Sequence, residues 1–174
     1  MYFRKFPKVE VDVKGDGNAV SMTDITRRIK FSESTLESLV NFDFYDVPDG
    51  STPEQIAHDY YGDTGLHWVV LLANNIKDVY SDWPMSVPRF EKFVASKYSN
   101  VDEVHHYEYT QESGDTKFLI ELPNDPATTI PAGAVTITNY EYEERILDSK
   151  RKIRLIQPQY ISVIRSEFET KIGR

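Results

Sequence analysis

The chain has 174 residues, no cysteine and a formal net charge of −8 at neutral pH. The acidic balance argues against binding to a nucleic-acid backbone, and the lack of cysteine excludes disulfides, thiolate metal sites and cysteine nucleophiles. The length suits one ordinary domain or a small module with extensions, and neither a membrane span nor a signal peptide is recognisable, so we expect a protein that is not exported and does not bind membranes.

Residues 1–39 are predicted to form an N-terminal arm. Val9, Val11 and Val13 alternate with charged residues, as in an edge strand that could pair with a partner's sheet. The following segment, residues 21–31, carries Arg27 and Arg28 in an otherwise acidic chain. Two interpretations remain open for it, a solvated turn and a docking segment for acidic partners.

Residues 45–84, together with the strand-like segment that leads into them, show the start and stop signals of a small module. Residues 40–47 alternate in the pattern of a strand, and a turn follows at Pro48–Gly50. Ser51 or Thr52 is placed to cap a helix that begins at Pro53. The pattern predicts a strand followed by a helix.

Two helices and a returning strand complete the predicted module. The first helix has one apolar face, and Gly62 is expected to end it. The second begins at Asp63 or Thr64 and is apolar nearly all round from residue 66 to 73, which predicts burial, including that of Trp68. Val79–Trp83 is predicted to return as a strand. The face of the first helix consists of Ile56, Ala57, Tyr60 and Tyr61.

The segment from 84 to 138 predicts a helix and small β elements. Ser86 is placed to cap the third helix. Val104–Tyr109 and Lys117–Leu122 flank a polar loop and predict a hairpin, and Ala134–Thr138 predicts a further strand.

The C-terminal region is predicted to contain a hairpin and a last helix. Tyr140–Leu147 and Lys150–Ile156 can be laid antiparallel, with Tyr142 opposite Leu155 and Glu143 opposite Arg154. A helical reading of the same residues remains open, because Glu, Arg, Lys and Leu favour helices. After Pro158, a final helix carries the stripe Tyr160, Ile161, Ile164, Phe168 and Ile172.

No catalytic, cofactor or metal site is predicted. His58 and His67 lack a recognised ligand spacing. His105 and His106 are adjacent on a predicted strand, so we expect their side chains to point to opposite faces. The carboxylates are abundant, but none is singled out as a catalytic pair.

The pattern of Tyr45 and Val47, Gly50–Thr52, Ile56–Ala57, Leu71 and Asn74 or Asn75 resembles the LysM module. Members of that family often bind N-acetylglucosamine polymers. As an alternative function, the resemblance therefore implies a carbohydrate groove lined by Asp49, Gly50, Ser51, Thr52, Asn75 and Ile76.

Three ordered motifs also resemble the baseplate wedge subunits of contractile-tailed phages, the gene product 53 family. They are MTDITR, the run IAHDYYGDTGLHWVVLLANN and the C-terminal YEYEERILDSKRKIRL. The resemblance implies a non-enzymatic protein of the virion tail baseplate, assembled in the host cytoplasm, that joins other wedge subunits and neighbouring wedges in a ring. The residues expected to contact partners are Arg27, Arg28, Trp83, Tyr142, Arg145 and Arg154.

Together these features predict an α+β fold. A LysM-like strand, helix, helix, strand core with its following helix would occupy residues 40–100, after the arm. A β-rich region with the hairpin and last helix would occupy residues 101–174. Because no export signal is recognised, we favour the baseplate function over the carbohydrate-binding alternative.

Overall fold

The computed structural model describes residues 6–26, 42–113 and 116–172, which form two units that interleave along the chain. The first unit contains the described residues up to 47, residues 51–83 and residues 152–172. The second contains residues 48–50 and 84–151. This division differs from the predicted segments 1–39, 40–100 and 101–174, because the last strand and helix fold with the first unit.

Helices and small antiparallel sheets make up both units, which confirms the predicted α+β class. The strands are β1 (Lys8–Val11), β2 (Val20–Thr23), β3 (Phe42–Asp46), β4 (Val104–Ser113), β5 (Thr116–Pro123), β6 (Val135–Thr138) and β7 (Lys152–Ile156). The helices are α1 (Pro53–Tyr61), α2 (His67–Ala73), α3 (Val79–Asp82), α4 (Val87–Lys97), α5 (Asn139–Arg151) and α6 (Ile161–Ile172). Short 3-10 turns at Thr64–Leu66 and Pro158–Tyr160 lead into α2 and α6. None of the helices described is long and apolar enough to cross a membrane.

The start and the end of α1 follow from local capping chemistry. Thr52 Oγ1 accepts the backbone N–H of Gln55 at 3.3 Å, and Gln55 Oε1 accepts the backbone N–H of Thr52 at 2.8 Å. Pro53 occupies the first turn, where its missing N–H has no cost. Gly62 ends the helix with a φ of 73°, a conformation that suits glycine. The predicted boundaries of this helix are confirmed.

The core of the first unit is built from α1, α2, β7 and α6. Ile56 and Ala57 are buried on the predicted face of α1, and Tyr60 and Tyr61 pack partly buried against the same core. The Trp68 ring lies 4.4 Å from the ring of Phe168, measured between centroids. The predicted burial of Trp68 is confirmed, and Ile164, Phe168 and Ile172 from the predicted apolar stripe of the last helix are buried as well.

The strand that pairs with β3 is β7, in an antiparallel register that runs from Phe42 opposite Ile156 to Asp46 opposite Lys152. The prediction of a returning strand at Val79–Trp83 is wrong. Residues 79–82 form the short helix α3, whose start is capped by the Asp78 carboxylate at 2.9 Å from the Tyr80 nitrogen. The resemblance of this core to the LysM module stays a prediction.

Asn74, the residue after α2, completes the outer edge of β7. Its Oδ1 accepts the backbone N–H of Arg154 at 2.8 Å, and its Nδ2 donates to the Arg154 carbonyl at 2.8 Å. Nδ2 also donates to the carbonyl of Val70 at 2.8 Å, inside the last turn of α2. The side chain thus supplies the two hydrogen bonds that a further strand would have made, and it ties α2 to β7.

A three-stranded sheet in the order β5, β4, β6 forms part of the second unit. The predicted hairpin and the predicted strand before residue 139 are both confirmed as these strands. The pairing of β4 with β6 is irregular between Val104 and His106. The second unit also contains a small apolar cluster that α4 and α5 share and that includes Phe90, Val94 and Leu147.

The prediction of a C-terminal hairpin around Asp148–Ser149 is wrong, because residues 139–151 form helix α5. A capping box starts this helix: Thr138 Oγ1 accepts the N–H of Glu141 at 3.2 Å, and Glu141 Oε2 accepts the N–H of Thr138 at 2.8 Å. Residues 152–156 are a strand, as expected, but their partner is β3. The proposed pairs of Tyr142 with Leu155 and Glu143 with Arg154 therefore do not form.

A buried carboxylate links α4 to α5. Glu143 is 5% exposed and accepts hydrogen bonds from Lys97 Nζ at 2.5 Å and from the Tyr98 hydroxyl at 2.7 Å. Burial alone raises the pKa of Glu143, but the bonds from Lys97 and Tyr98 outweigh burial and hold the pKa below its ordinary value. The carboxylate is therefore charged in the folded protein at neutral pH.

Replacing Asn74 by alanine should lower the free energy of unfolding of the first unit by about 1–2 kcal/mol. The substitution leaves the Arg154 N–H and carbonyl without their side-chain partner. Urea unfolding followed by tryptophan fluorescence measures the effect, because both tryptophans of the chain, Trp68 and Trp83, belong to the first unit.

The neighbouring Asn75→Gly variant is the matched control for Asn74→Ala. Asn75 has a φ of 53°, which glycine adopts without strain, so its stability should stay within about 0.5 kcal/mol of the parent. Equal unfolding midpoints for Asn74→Ala and the parent protein would show that the edge of β7 does not depend on Asn74.

Replacing Glu143 by glutamine should destabilise the second unit near neutral pH, because it removes the negative charge that Lys97 binds. The loss should be limited to about 1–2 kcal/mol, because water partly rehydrates the half-exposed Lys97. The folded-state pKa of Glu143 lies below its unfolded value, so the stabilisation is present above the unfolded pKa. It is lost as the pH falls through the folded pKa. The difference between parent and variant should therefore shrink in acid.

Amide hydrogen exchange in α4 and α5 measures this difference, because no tryptophan reports on the second unit. Glu144→Gln, an exposed neighbour on the same helix, is the control and should leave exchange unchanged. A parent-to-variant difference that stays constant down to low pH would contradict the assignment of the effect to the Glu143 charge.

Candidate interface surfaces

β1 and β2 form a two-stranded ribbon that exposes an apolar face. The register places Val9 opposite Met22 and Val11 opposite Val20. Because side chains alternate along a strand, these four share one side of the ribbon, which we call the ribbon face. All four are exposed, Met22 by 46% and Val20 by 57%. The opposite side carries Lys8, Glu10, Ser21 and Thr23.

The two ends of the ribbon are held differently. At its base, Phe6 is buried and its ring lies 6.4 Å from that of Phe168, so the ribbon is attached to the first-unit core. At its tip, the Asp12 carboxylate accepts four backbone N–H groups of residues 14–17. The bond from Gly17 is the strongest cause that lowers the pKa of Asp12. The turn between the two strands is thus held by one charged side chain.

Of the predicted partner residues, Arg27 and Arg28 lie outside the described residues. Trp83 was expected to contact partners, which requires an exposed side chain, but it is 6% exposed. Its Nε1 donates to the carbonyl of Ser51 at 2.8 Å, and its ring belongs to the first-unit core. A buried indole with a satisfied N–H packs the interior, so the expectation of an exposed interface anchor at Trp83 is wrong.

Tyr142 and Arg145 lie one helical turn apart on α5 in the second unit. The Tyr142 ring stacks on the ring of His105, with centroids 3.8 Å apart and an interplanar angle of 11°. Arg145 Nη1 donates to Glu108 on β4. Both side chains are therefore engaged within the unit, and a role for them in partner contacts stays a prediction.

Arg154 belongs to β7 in the first unit. Its guanidinium lies 5.0 Å from the centroid of the Phe42 ring, and Nη2 donates to the carbonyl of Ala73 at 3.2 Å. Arg154 thus belongs to a different unit from Tyr142 and Arg145, the predicted contact residues on α5. Its role as a partner contact likewise stays a prediction.

The first half of the alternative carbohydrate groove, residues 49–52, has identifiable structural tasks. The Asp49 carboxylate caps α4, with Oδ1 at 2.9 Å from the first backbone nitrogen of that helix. Gly50 has a φ of 72°, which serves the turn. The Ser51 carbonyl accepts the indole N–H described above, and Thr52 caps α1.

The second half of that groove follows α2. Asn75 has a φ of 53°, in the left-handed region that asparagine tolerates better than most residues. Ile76 packs partly buried against the first-unit core, and its N–H donates to the Leu71 carbonyl at 2.9 Å. These contacts account for both residues as the end of a helix.

The expectation that His105 and His106 point to opposite faces is wrong. Their Nδ1 atoms lie 2.9 Å apart, as hydrogen-bond partners. The β4–β6 register shifts between Val104 and His106, and such a bulge breaks the strict alternation of side chains. The other two histidines are separate: His58 contacts Asp59, and His67 contacts the carbonyl of Thr64.

Two exposed apolar features were missed at the level of sequence. The second strand of the ribbon was not anticipated, although residues 20–23 alternate apolar and polar side chains as residues 8–11 do. Phe44 on β3 is 86% exposed, opposite Arg154 in the register. Neighbouring residues of a strand face opposite ways, so Phe44 and Tyr45 cannot both face the core, but the sequence does not show which of the two faces is covered.

Comparison with known proteins bears on what these surfaces do. A family model described as "Base plate wedge protein 53" matches residues 1–130. One relative, "Baseplate wedge protein gp53" of Enterobacteria phage T4, is 26% identical over 172 residues, with 90% of this chain and 88% of the relative covered. Neither comparison supports the carbohydrate-binding alternative.

The residues matched by the family model include the ribbon, the helices α1 to α4 and the hairpin of β4 with β5. This match covers most of the chain. The protein therefore belongs to the base plate wedge protein 53 family.

Proposed function

We propose that this chain is a structural subunit of the baseplate wedge of a contractile phage tail, and that it links adjacent wedges through protein–protein contacts. The observation that carries the proposal is the family match over residues 1–130. The T4 relative, named as a baseplate wedge protein, supports the same role and aligns over most of both chains.

The ribbon face is the surface that best fits a contact with another subunit. It presents four apolar side chains to solvent, on a two-stranded ribbon that is marginally stable unless something packs on it. Among the residues that the structure describes, no third strand pairs with either outer edge of the ribbon, so a strand of a partner can extend it. Val9 and Met22 form the apolar pair nearest the base of the ribbon.

The role is structural and not enzymatic, in keeping with the name of the T4 relative. Several copies would lie in a ring at the tail baseplate of the virion, after assembly with other wedge subunits in the host cytoplasm. The remaining predicted contact residues, Tyr142, Arg145 and Arg154, belong to the same proposal, since each is already held in a defined position by a neighbouring side chain or carbonyl.

The Met22→Lys variant should lower incorporation of the chain into baseplates by tenfold or more, because a buried apolar contact would have to accept a charge, at a cost of about 1.4 kcal/mol per factor of ten. The variant gene is expressed in the host during infection by a phage whose own copy of the gene is deleted. The amount of the variant chain is then measured in purified particles. Free wedges should accumulate at the expense of complete baseplates in sedimentation profiles.

Ser21→Lys is the matched control, since it adds the same charge to the neighbouring residue on the polar side of the ribbon. It should leave incorporation within about twofold of the parent, as a solvent-facing change does. Tryptophan fluorescence verifies that the first unit of both variants is folded. Equal incorporation of the two variants would remove the ribbon face from the proposed interface.

A further inference from the structure

A histidine and two glutamates of the second unit converge on one side of the β4–β5 hairpin. His106 and Glu108 are two residues apart on β4 and therefore share a face. Glu121 on β5 lies directly opposite Glu108 in the antiparallel register. One ligand atom from each of the three side chains lies within 4.8 Å of the others, which we call the His–Glu cluster.

The imidazole in this cluster is buried, and one of its two ring nitrogens lacks a hydrogen bond. The His106 side chain is 10% exposed, and its Nε2 has no hydrogen-bond partner among the residues that the structure describes. The nearest carboxylate oxygen, Glu108 Oε1, lies 3.5 Å away. Leaving a buried polar atom without a partner costs about 1–3 kcal/mol of folding free energy. An ion bound between Nε2 and the two carboxylates would remove that cost.

The neighbouring histidine provides an acceptor for the protonation state that a ligand to Nε2 requires. One proton is shared between His105 Nδ1 and His106 Nδ1, which are 2.9 Å apart. When His106 donates it, Nε2 carries a free lone pair directed at the cluster, and His105 accepts. The stacked Tyr142 ring holds His105 in that place. Such a partner on the second ring nitrogen is usual for metal-binding histidines.

The charges point to a cation. Two carboxylates directly opposite each other on neighbouring strands repel, and Arg145 offsets this repulsion at Glu108 only. One imidazole nitrogen and two carboxylate oxygens form a donor set typical of first-row transition ions, whereas magnesium and calcium prefer oxygen ligands alone.

We propose that His106, Glu108 and Glu121 form a binding site for a divalent first-row transition-metal ion, with zinc as the probe. Three protein ligands leave a fourth tetrahedral position for water. Arg145 shares Glu108 with the ion and acts as a competing cation in its absence. The residues of the site belong to the second unit, whereas the ribbon face belongs to the first.

Zinc titration of the full chain, freed of metal by a chelator and followed by competition with a chromophoric indicator, tests the proposal. We expect one equivalent of zinc per chain. Glu121→Gln should weaken binding by at least about tenfold, and because Glu121 is exposed this variant should fold normally. His106→Gln should have the same effect, and the amide NMR spectrum shows whether its second unit is intact.

Two further variants separate a metal site from a salt bridge. His58→Gln changes an exposed histidine of the first unit that also adjoins an acidic residue, and it should leave the affinity unchanged. Arg145→Gln removes the competing cation and should keep or increase the affinity. Zinc binding that is unaffected by both Glu121→Gln and His106→Gln, or no binding with a defined stoichiometry, would overturn the proposal.

Discussion

The antiparallel pairing of β3 with β7 is the interaction on which the architecture depends. It joins residues 42–46 to residues 152–156, so everything between them is enclosed in one long loop of the chain. Closing such a loop costs conformational entropy, and the cost is met by contacts that form only once the two strands meet. Ile153, Leu155 and Ile156 enter the first-unit core, and Asn74 occupies the edge of β7 that β3 leaves free.

Several local signals in the sequence predicted the structure correctly, whereas the long-range strand pairing was not predicted. The capping box at Thr52, the glycine after α1 and the hairpin of β4 with β5 all depend on residues close together in the chain. The partner of β3 could not be found in this way, because the nearest strand-like segment, residues 79–83, competes with the true partner far downstream. A segment that is apolar and short suits either assignment.

The error over α5 has a different origin, because a local signal was available. Thr138 and Glu141 have the spacing of a capping box, and the following residues favour a helix. The hairpin was predicted from cross-strand pairs of complementary residues, and that prediction took no account of the capping box. The true strand begins only at residue 152, where the helix formers give way to an alternating apolar pattern.

The candidate surfaces were predictable only in part. Alternation in residues 8–11 indicated an edge strand, and the same alternation in residues 20–23 would have completed the ribbon. By contrast, the meeting of His105 with His106 depends on an irregularity in strand pairing, which no periodic rule anticipates. The fate of Trp83 likewise depends on a carbonyl 32 residues earlier, so its burial could not be read from its neighbours in sequence.

Interleaving has a consequence for how this gene can be altered. Because residues 152–172 belong to the same unit as residues 51–83, no single cut in the chain yields both units intact. A fragment that stops at residue 130, where the family match ends, would lack β7 and α6 and leave the first core open. Exchange of gene segments between related phages therefore keeps this fold only when both distant portions of the first unit are inherited together.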